Sequence, residues 1–158
     1  LIRKLTLHVN GTSQTVEADE RATLLDVLRN GLGLFGARFG CGAEQCGSCA
    51  VLIDGQARPS CGVEAATLEG KTIVTVEGIG TPQRPHPIQT AMIENQAGQC
   101  GYCLSGIVVG AKALLDRNPR PSRGEIAQAL DGHLCRCGAH NRIIAAIERA
   151  AERMRSAP

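Results

Sequence analysis

At 158 residues the chain has room for one large domain or two small ones. Hydrophobic residues make up 43% of it but aromatics only 2%, with no Trp, so its cores must be built from Leu, Ile, Val and Ala, and a stacking platform for single-stranded nucleic acid is excluded. A formal charge of +2 leaves no nucleic-acid footprint, and no stretch approaches the roughly eighteen uninterrupted apolar residues that a membrane-spanning helix needs.

The first half alternates apolar and polar residues. Ile2 to Val9 places Leu5, Leu7 and Val9 on one face, the period of a half-buried strand rather than of an apolar leader segment. Asn10-Gly11 is a hairpin signal, with Gln14 to Ala18 as the return strand. Thr23 precedes Leu24-Leu25-Asp26-Val27-Leu28, the pattern of an N-cap and a short helix ending near Gly31. Ala50 to Ile53 is continuously apolar, Asp54-Gly55 is another tight turn, and Lys71 to Val76 reads as a further strand.

Character changes near residues 78–87, where Gly78-Ile79-Gly80-Thr81-Pro82-Gln83-Arg84-Pro85-His86-Pro87 is rich in breakers and reads as a linker. Beyond it the pattern is helical. Pro87 suits a first helical turn, followed by Ile88, Ala91 and Met92. Ser105 to Asn118 keeps helical spacing up to Pro119. Ser122-Arg123-Gly124-Glu125 has the form of a capping box, and Asn141 to Met154 carries Ile143, Ile144, Ile147 and Ala151 on one stripe. The expected organisation is α+β, with a sheet domain over 1–80 and a helical domain over 81–158.

The eight cysteines divide into two sets of four. Cys41, Cys46 and Cys49 read C-x4-C-x2-C, with Cys61 as a distant fourth, the spacing of a plant-type 2Fe–2S site. Cys100 and Cys103, then Cys135 and Cys137, form the second set. Disulfides and two four-cysteine zinc sites are the rivals. Disulfide frameworks belong to much smaller secreted domains. Zinc sites favour paired C-x2-C knuckles, for which the C-x4-C-x2-C loop of the first set and the closing C-x-C of the second are both awkward. The run from Gly40 to Cys49 intersperses Gly40, Gly42 and Gly47 with three thiols. Glycine gives a loop the positive φ needed to wrap a small object, and lets N–H groups approach bridging sulfides. Two oxidised clusters on eight thiolates would bring the formal charge to about −2. There is no Ser/His/Asp set, phosphate loop or acid pair, so the expected work is electron transfer rather than bond chemistry.

Three runs carry a resemblance: Gly40-Cys41-Gly42 through Cys49, Gln99-Cys100-Gly101-Tyr102-Cys103, and Leu134-Cys135-Arg136-Cys137-Gly138. Over essentially its whole length the chain resembles the small iron–sulfur subunit of the xanthine oxidase family of molybdenum hydroxylases. That resemblance implies an N-terminal β-grasp, ferredoxin-like domain and a C-terminal four-helix bundle, each binding one 2Fe–2S cluster. It implies that the second cluster lies nearer a molybdopterin cofactor held by a separate large subunit. By carry-over, Gln99 matches a glutamine that hydrogen-bonds the pterin, and Cys137 matches a cluster ligand whose surroundings contact the pterin amino group. Arg136, between two thiols, reads either as a charge that raises a cluster potential or as an interface arginine; His86 and His140 are assigned no chemistry.

The departures from the commoner pattern are His133-Leu134-Cys135-Arg136-Cys137-Gly138-Ala139-His140 in place of N-L-C-R-C-T-G-Y, and Leu104-Ser105-Gly106 in place of T-P-G. With Pro85-His86-Pro87, they are most similar to the nicotinate dehydrogenase and isoquinoline oxidoreductase type. The implied function is a cytoplasmic electron-transfer subunit, or one held at a membrane through partners. The partner hydroxylates an N-heteroaromatic substrate, such as a pyridine derivative, with water. A flavin (FAD) subunit or a c-type cytochrome would take the electrons. The alternatives are a small subunit of an aldehyde or purine-type molybdenum dehydrogenase, a free-standing two-cluster ferredoxin and a zinc-stabilised interaction module.

Overall fold

A computed structural model describes residues 1–156. Strand β1 (Ile2–Val9) pairs antiparallel with β2 (Thr12–Asp19) through a two-residue turn. Asn10 and Gly11 both have positive φ there, +50° and +81°, as a type I′ turn requires. Leu5, Leu7 and Val9 point into one core, as their alternation predicts. Asp54 and Gly55 repeat the device, with φ of +48° and +81°, between β3 (Ala50–Ile53) and β4 (Gln56–Pro59). Strand β5 (Thr72–Val74) enters the middle, antiparallel to β3 and parallel to β1, so the sheet order is β2-β1-β5-β3-β4. This mixed sheet is the β-grasp layout.

Thr23 caps α1 (Leu24–Asp26), its hydroxyl accepting the Asp26 N–H at 3.2 Å. The helix does not run on as a plain α-helix to Gly31. Over Val27–Gly31 it widens to i→i+5 bonding, and the Leu32 N–H reaches the Val27 carbonyl. The expected strand at Lys71–Val76 is shorter than its apolar pattern. Thr75 is fully buried and its backbone N–H and hydroxyl are taken by the Asn10 side chain, at 2.9 Å each. The ladder stops there, and Val76 opens the short helix α2 (Val76–Ile79). The breaker-rich segment therefore begins inside a helical turn.

The second half holds α3 (Pro87–Glu94), α4 (Leu104–Arg117), α5 (Arg123–Ala129) and α6 (His140–Ser156). Ser122 and Glu125 form the expected capping box on α5, with bonds of 3.2 and 2.7 Å. His86 supplies a second one at α3: its Nδ1 accepts the Ile88 N–H while Gln89 Oε1 accepts the His86 N–H. A helical core gathers Ile88, Ile107, Ile126, Ile143 and Ile147, all fully buried. A separate core lies under the sheet around Leu5, Leu7, Leu24, Leu28 and Ile73. At about 1.5–3 kcal/mol per buried aliphatic side chain, these two clusters supply the main driving force for folding.

The halves are fastened along β3. Val51 and Ile53 face the sheet core, while Ala50 and Leu52 turn the other way onto Val109 and Ala113 of α4. Burial on both faces explains why β3 reads as a continuous apolar run instead of an alternating one. Val76 and Ile79 pack against both the helical core and this seam. Among the described residues no helix is long and apolar enough to cross a membrane.

Candidate metal centres

The loop from Gly40 to Cys49 curls through positive φ at Gly42 (+66°), Glu44 (+59°) and Gly47 (+76°). This curl turns backbone donors onto sulfur. The N–H groups of Ala43 and Gln45 both donate to Cys41 Sγ at 3.3 Å, and the Cys41 N–H donates to Cys46 Sγ at 3.4 Å. Backbone N–H groups of Ala43, Gln45 and Cys46 hold the Cys41 thiol down at about 6, against an ordinary value of 9.0, although it is exposed. Cys61 lies beside Cys49 and Cys41, and burial pushes its thiol up. The four cysteines spaced as a ferredoxin site therefore come together. Ser60 steadies the buried side of the set, its hydroxyl donating to the Cys49 carbonyl at 2.7 Å.

The second set converges from two loops. Cys100 and Cys103 flank the turn into α4, and Cys135 and Cys137 lie on the loop before α6. Cys100 neighbours Cys137 and Cys135, and Cys103 neighbours Cys135. Burial pushes Cys103 up to about 11. Burial acts upward on Cys135 too, but N–H groups of Ala139, Cys137 and Gly138 and the Cys103 thiol outweigh it and bring it below the ordinary value. His140 closes this loop, its Nε2 lying 3.0 Å from the His133 carbonyl oxygen. Arg136 is exposed.

All eight thiols are free of disulfides. Among the described residues no three His, Cys, Asp or Glu side chains close tightly around a single ion. Four thiols with backbone N–H groups directed at sulfur are the donor set that a 2Fe–2S core takes. A surface hollow of about 580 Å³ between the β3–β4 turn and α4 is lined by Gly55, Gln56, Asp116, Arg117 and His133 and by none of the eight cysteines.

The two sets are tied directly. The Leu134 N–H donates to the Cys46 carbonyl at 3.0 Å, so one backbone hydrogen bond joins a residue of the first set to the neighbour of Cys135. Gly47 and Gly106 permit this approach: a Cβ on Gly106 would collide with the Gly47 carbonyl oxygen, and one on Gly47 would strike the His133 ring. On the other side Arg38 Nη1 donates to the Gly101 carbonyl at 2.7 Å and the Arg38 Cζ lies 5.3 Å from the Tyr102 ring centroid, while the Tyr102 hydroxyl donates to the Phe39 carbonyl. Sequence reasoning missed Arg38, Tyr102 and His133. A usable signal existed for one of them: the chain's three aromatics, Phe35, Phe39 and Tyr102, all sit in or near cysteine loops, and all are exposed. Gln99, picked out by the resemblance, is exposed, and its Nε2 donates to the Cys137 carbonyl at 3.2 Å.

A sheet unit and a helical unit, each presenting four convergent thiols, define a two-domain iron–sulfur protein. Residues 7–75 match the family described as 2Fe-2S iron-sulfur cluster binding domain, and residues 75–148 match the [2Fe-2S] binding domain family. The chain is 48% identical over 151 residues to a nicotinate dehydrogenase subunit of Pseudomonas putida, covering 96% of each. It is 46% identical to the alpha subunit of isoquinoline 1-oxidoreductase from Brevundimonas diminuta, over 88% of this chain and 91% of that one. The crystal structure of quinoline 2-oxidoreductase from Pseudomonas putida 86 superposes with a TM-score of 0.93 at 36% identity, covering 98% of this chain and 97% of that one. The chain belongs to the iron–sulfur small subunits of the xanthine oxidase family of molybdenum hydroxylases.

Proposed function

We propose that this chain is the electron-transfer subunit of a molybdenum hydroxylase whose large subunit hydroxylates an N-heteroaromatic ring with water. Cys41, Cys46, Cys49 and Cys61 hold one 2Fe–2S cluster in the unit spanning 1–80, and Cys100, Cys103, Cys135 and Cys137 hold the other in the unit spanning 81–158. The observation that carries the reading is the convergence of all eight thiols as two sets of four, joined by the Leu134–Cys46 hydrogen bond. A two-iron core in each set supplies one-electron storage when bound.

The chain's own residues set the conditions for that chemistry. N–H groups of Ala43 and Gln45 favour the thiolate of Cys41, as a metal ligand requires. Burial of Cys49 and Cys103 keeps water off one side of each set. The exposed Gln99 amide and the Cys137 loop are presented outward, where the pterin edge of a molybdenum cofactor held by the partner would dock. The Cys41 set serves the external acceptor, a flavin subunit or a c-type cytochrome. The substrate class rests on the names nicotinate, isoquinoline and quinoline among the relatives, all nitrogen heteroaromatics. The implied setting is the cytoplasm.

The test is the purified native complex. It should be brown, contain about four irons and four labile sulfides per copy of this chain, and bleach when given a pyridine carboxylate or quinoline under anaerobic conditions. Stoichiometric zinc without iron would sink the cluster assignment. Bleaching by aldehydes alone would sink the substrate class but leave the electron-transfer role standing.

A further inference from the structure

Arg38 belongs by sequence to the first cysteine loop, three residues before Cys41. Its backbone is fixed there, the N–H donating to the Ser48 carbonyl at 3.1 Å. Its side chain goes elsewhere. The half-buried guanidinium donates to the Gly101 carbonyl at 2.7 Å and covers the Tyr102 ring at 5.3 Å, both in the second cysteine loop. Gly101 adopts φ +76°, which turns the Gly101–Tyr102 peptide plane outward from the chain's ordinary course. In a trans peptide the C=O and N–H point in opposite directions. Its carbonyl end meets Arg38, and its N–H end lies opposite, on the Cys100 side of the turn.

We propose that Arg38 is a positioning residue of the first unit that sets the redox potential of the cluster in the second, acting through the Gly101–Tyr102 peptide on Cys100. A cation at the carbonyl end polarises the peptide and strengthens its N–H toward sulfur, as linked hydrogen bonds reinforce one another. Both the polarised N–H and the nearby positive charge favour the reduced, more negative cluster and so raise its potential. The arrangement also couples the units: the second cluster reaches its working potential only when the first unit is docked. This rests on the assignment of Cys100, Cys103, Cys135 and Cys137 as cluster ligands.

The experiment is a redox titration of the native complex, following the two clusters by their separate paramagnetic signals. It compares wild type with Arg38→Met, Arg38→Gln and Arg38→Lys, and with Arg3→Gln as a distant control whose partner is Glu69. Arg38→Met should lower the potential of the Cys100 cluster, and by more than it moves the Cys41 cluster, although Arg38 is nearer Cys41 in sequence. Arg38→Gln, which keeps a donor but no charge, should fall between. Arg38→Lys should recover most of the shift, and Arg3→Gln should change neither potential. If Arg38→Met loses iron, the difference between the Gln and Lys variants decides. Unchanged potential of the Cys100 cluster in iron-replete variants, equal shifts in both clusters, or no recovery with Lys overturns the proposal. A wild-type complex without iron would instead overturn the cluster assignment beneath it.

Discussion

Gln99 Nε2 donates to the carbonyl oxygen of Cys137, 3.2 Å away, and so bridges the loop before α4 to the loop before α6. Gln99 is exposed and Cys137 half-buried, and the bond between them lies open to solvent on the side proposed to meet the molybdenum subunit. A neutral hydrogen bond contributes roughly 0.5–1.5 kcal/mol, and an exposed one belongs at the low end. Gln99→Ala should therefore leave iron content and thermal stability close to wild type. In the complex it should slow reduction by substrate while reduction by dithionite stays normal. Stopped-flow absorbance with each reductant measures the difference, and equal rates with substrate for variant and wild type would remove Gln99 from the interface.

The two sulfur sets should respond independently to ligand loss. Cys46→Ser removes a member of the glycine-rich loop, and Cys103→Ser removes the buried thiol at the start of α4. The first set lies among outward N–H donors and the second is partly enclosed by helices, so the two clusters should give distinguishable paramagnetic signals when reduced. Each substitution should abolish a different signal. Loss of the same signal in both variants would show that the tetrads are wrongly divided.

Much of this architecture was legible because it is written in local chemistry. Asn10-Gly11 and Asp54-Gly55 form their turns because those pairs tolerate positive φ, and Ser122 with Glu125 caps α5 because both groups lie within one turn. The cysteine spacing divided the eight thiols into two sets of four. What stayed hidden depends on long-range partners. Thr75 ends β5 because Asn10, 65 residues earlier, takes its hydrogen bonds. Strand β4 is short and largely exposed, with Pro59 at its end, and gave no apolar alternation to read. Its edge position is what tolerates that proline. Arg38 carries no local mark of the carbonyl it meets across the seam.

His86 caps α3 only as a neutral imidazole, since Nδ1 must accept the Ile88 N–H. Burial is the main influence lowering its pKa from 6.5; Lys112 on α4 adds to it and Asp116 on the same helix opposes it. A histidine with a folded pKa below its unfolded one contributes stability that is complete above the unfolded value. That stability is lost as pH falls through the folded one. Acidification below about pH 6.5 should therefore loosen the first turn of α3. Hydrogen exchange of the Gln89 and Thr90 amides, corrected for intrinsic rates, should show protection at about pH 7.5 that declines by about pH 5.5. His86→Asn should keep the cap and flatten this dependence, whereas His86→Ala should cost about 1 kcal/mol at neutral pH. An equally steep decline in the Asn variant would locate the sensitivity elsewhere.

Gly106 and Gly124 both lie in helices, yet alanine should act on them in opposite directions. At Gly124 an added Cβ meets nothing nearer than Ser122 Oγ at 4.0 Å. Reduced unfolded-state entropy and better helix propensity should stabilise by about 0.5 kcal/mol, the lower end because the site is in the first turn of α5. At Gly106 the same methyl would fall on the Gly47 carbonyl oxygen and lie 3.3 Å from Ser48 Cα. These are backbone atoms of the first cysteine loop, so no side-chain rotation relieves the clash. Overpacking costs about 1–3 kcal/mol and exceeds the propensity gain of about 1 kcal/mol. The net loss should be up to about 2 kcal/mol, read as a fall in unfolding midpoint of a few degrees. Because the loop that must yield carries Cys46 and Cys49, Gly106→Ala should also speed iron loss from the Cys41 set while the Cys100 set stays loaded. Simultaneous loss from both sets would show that the seam between the units, rather than the loop, is what the methyl disturbs.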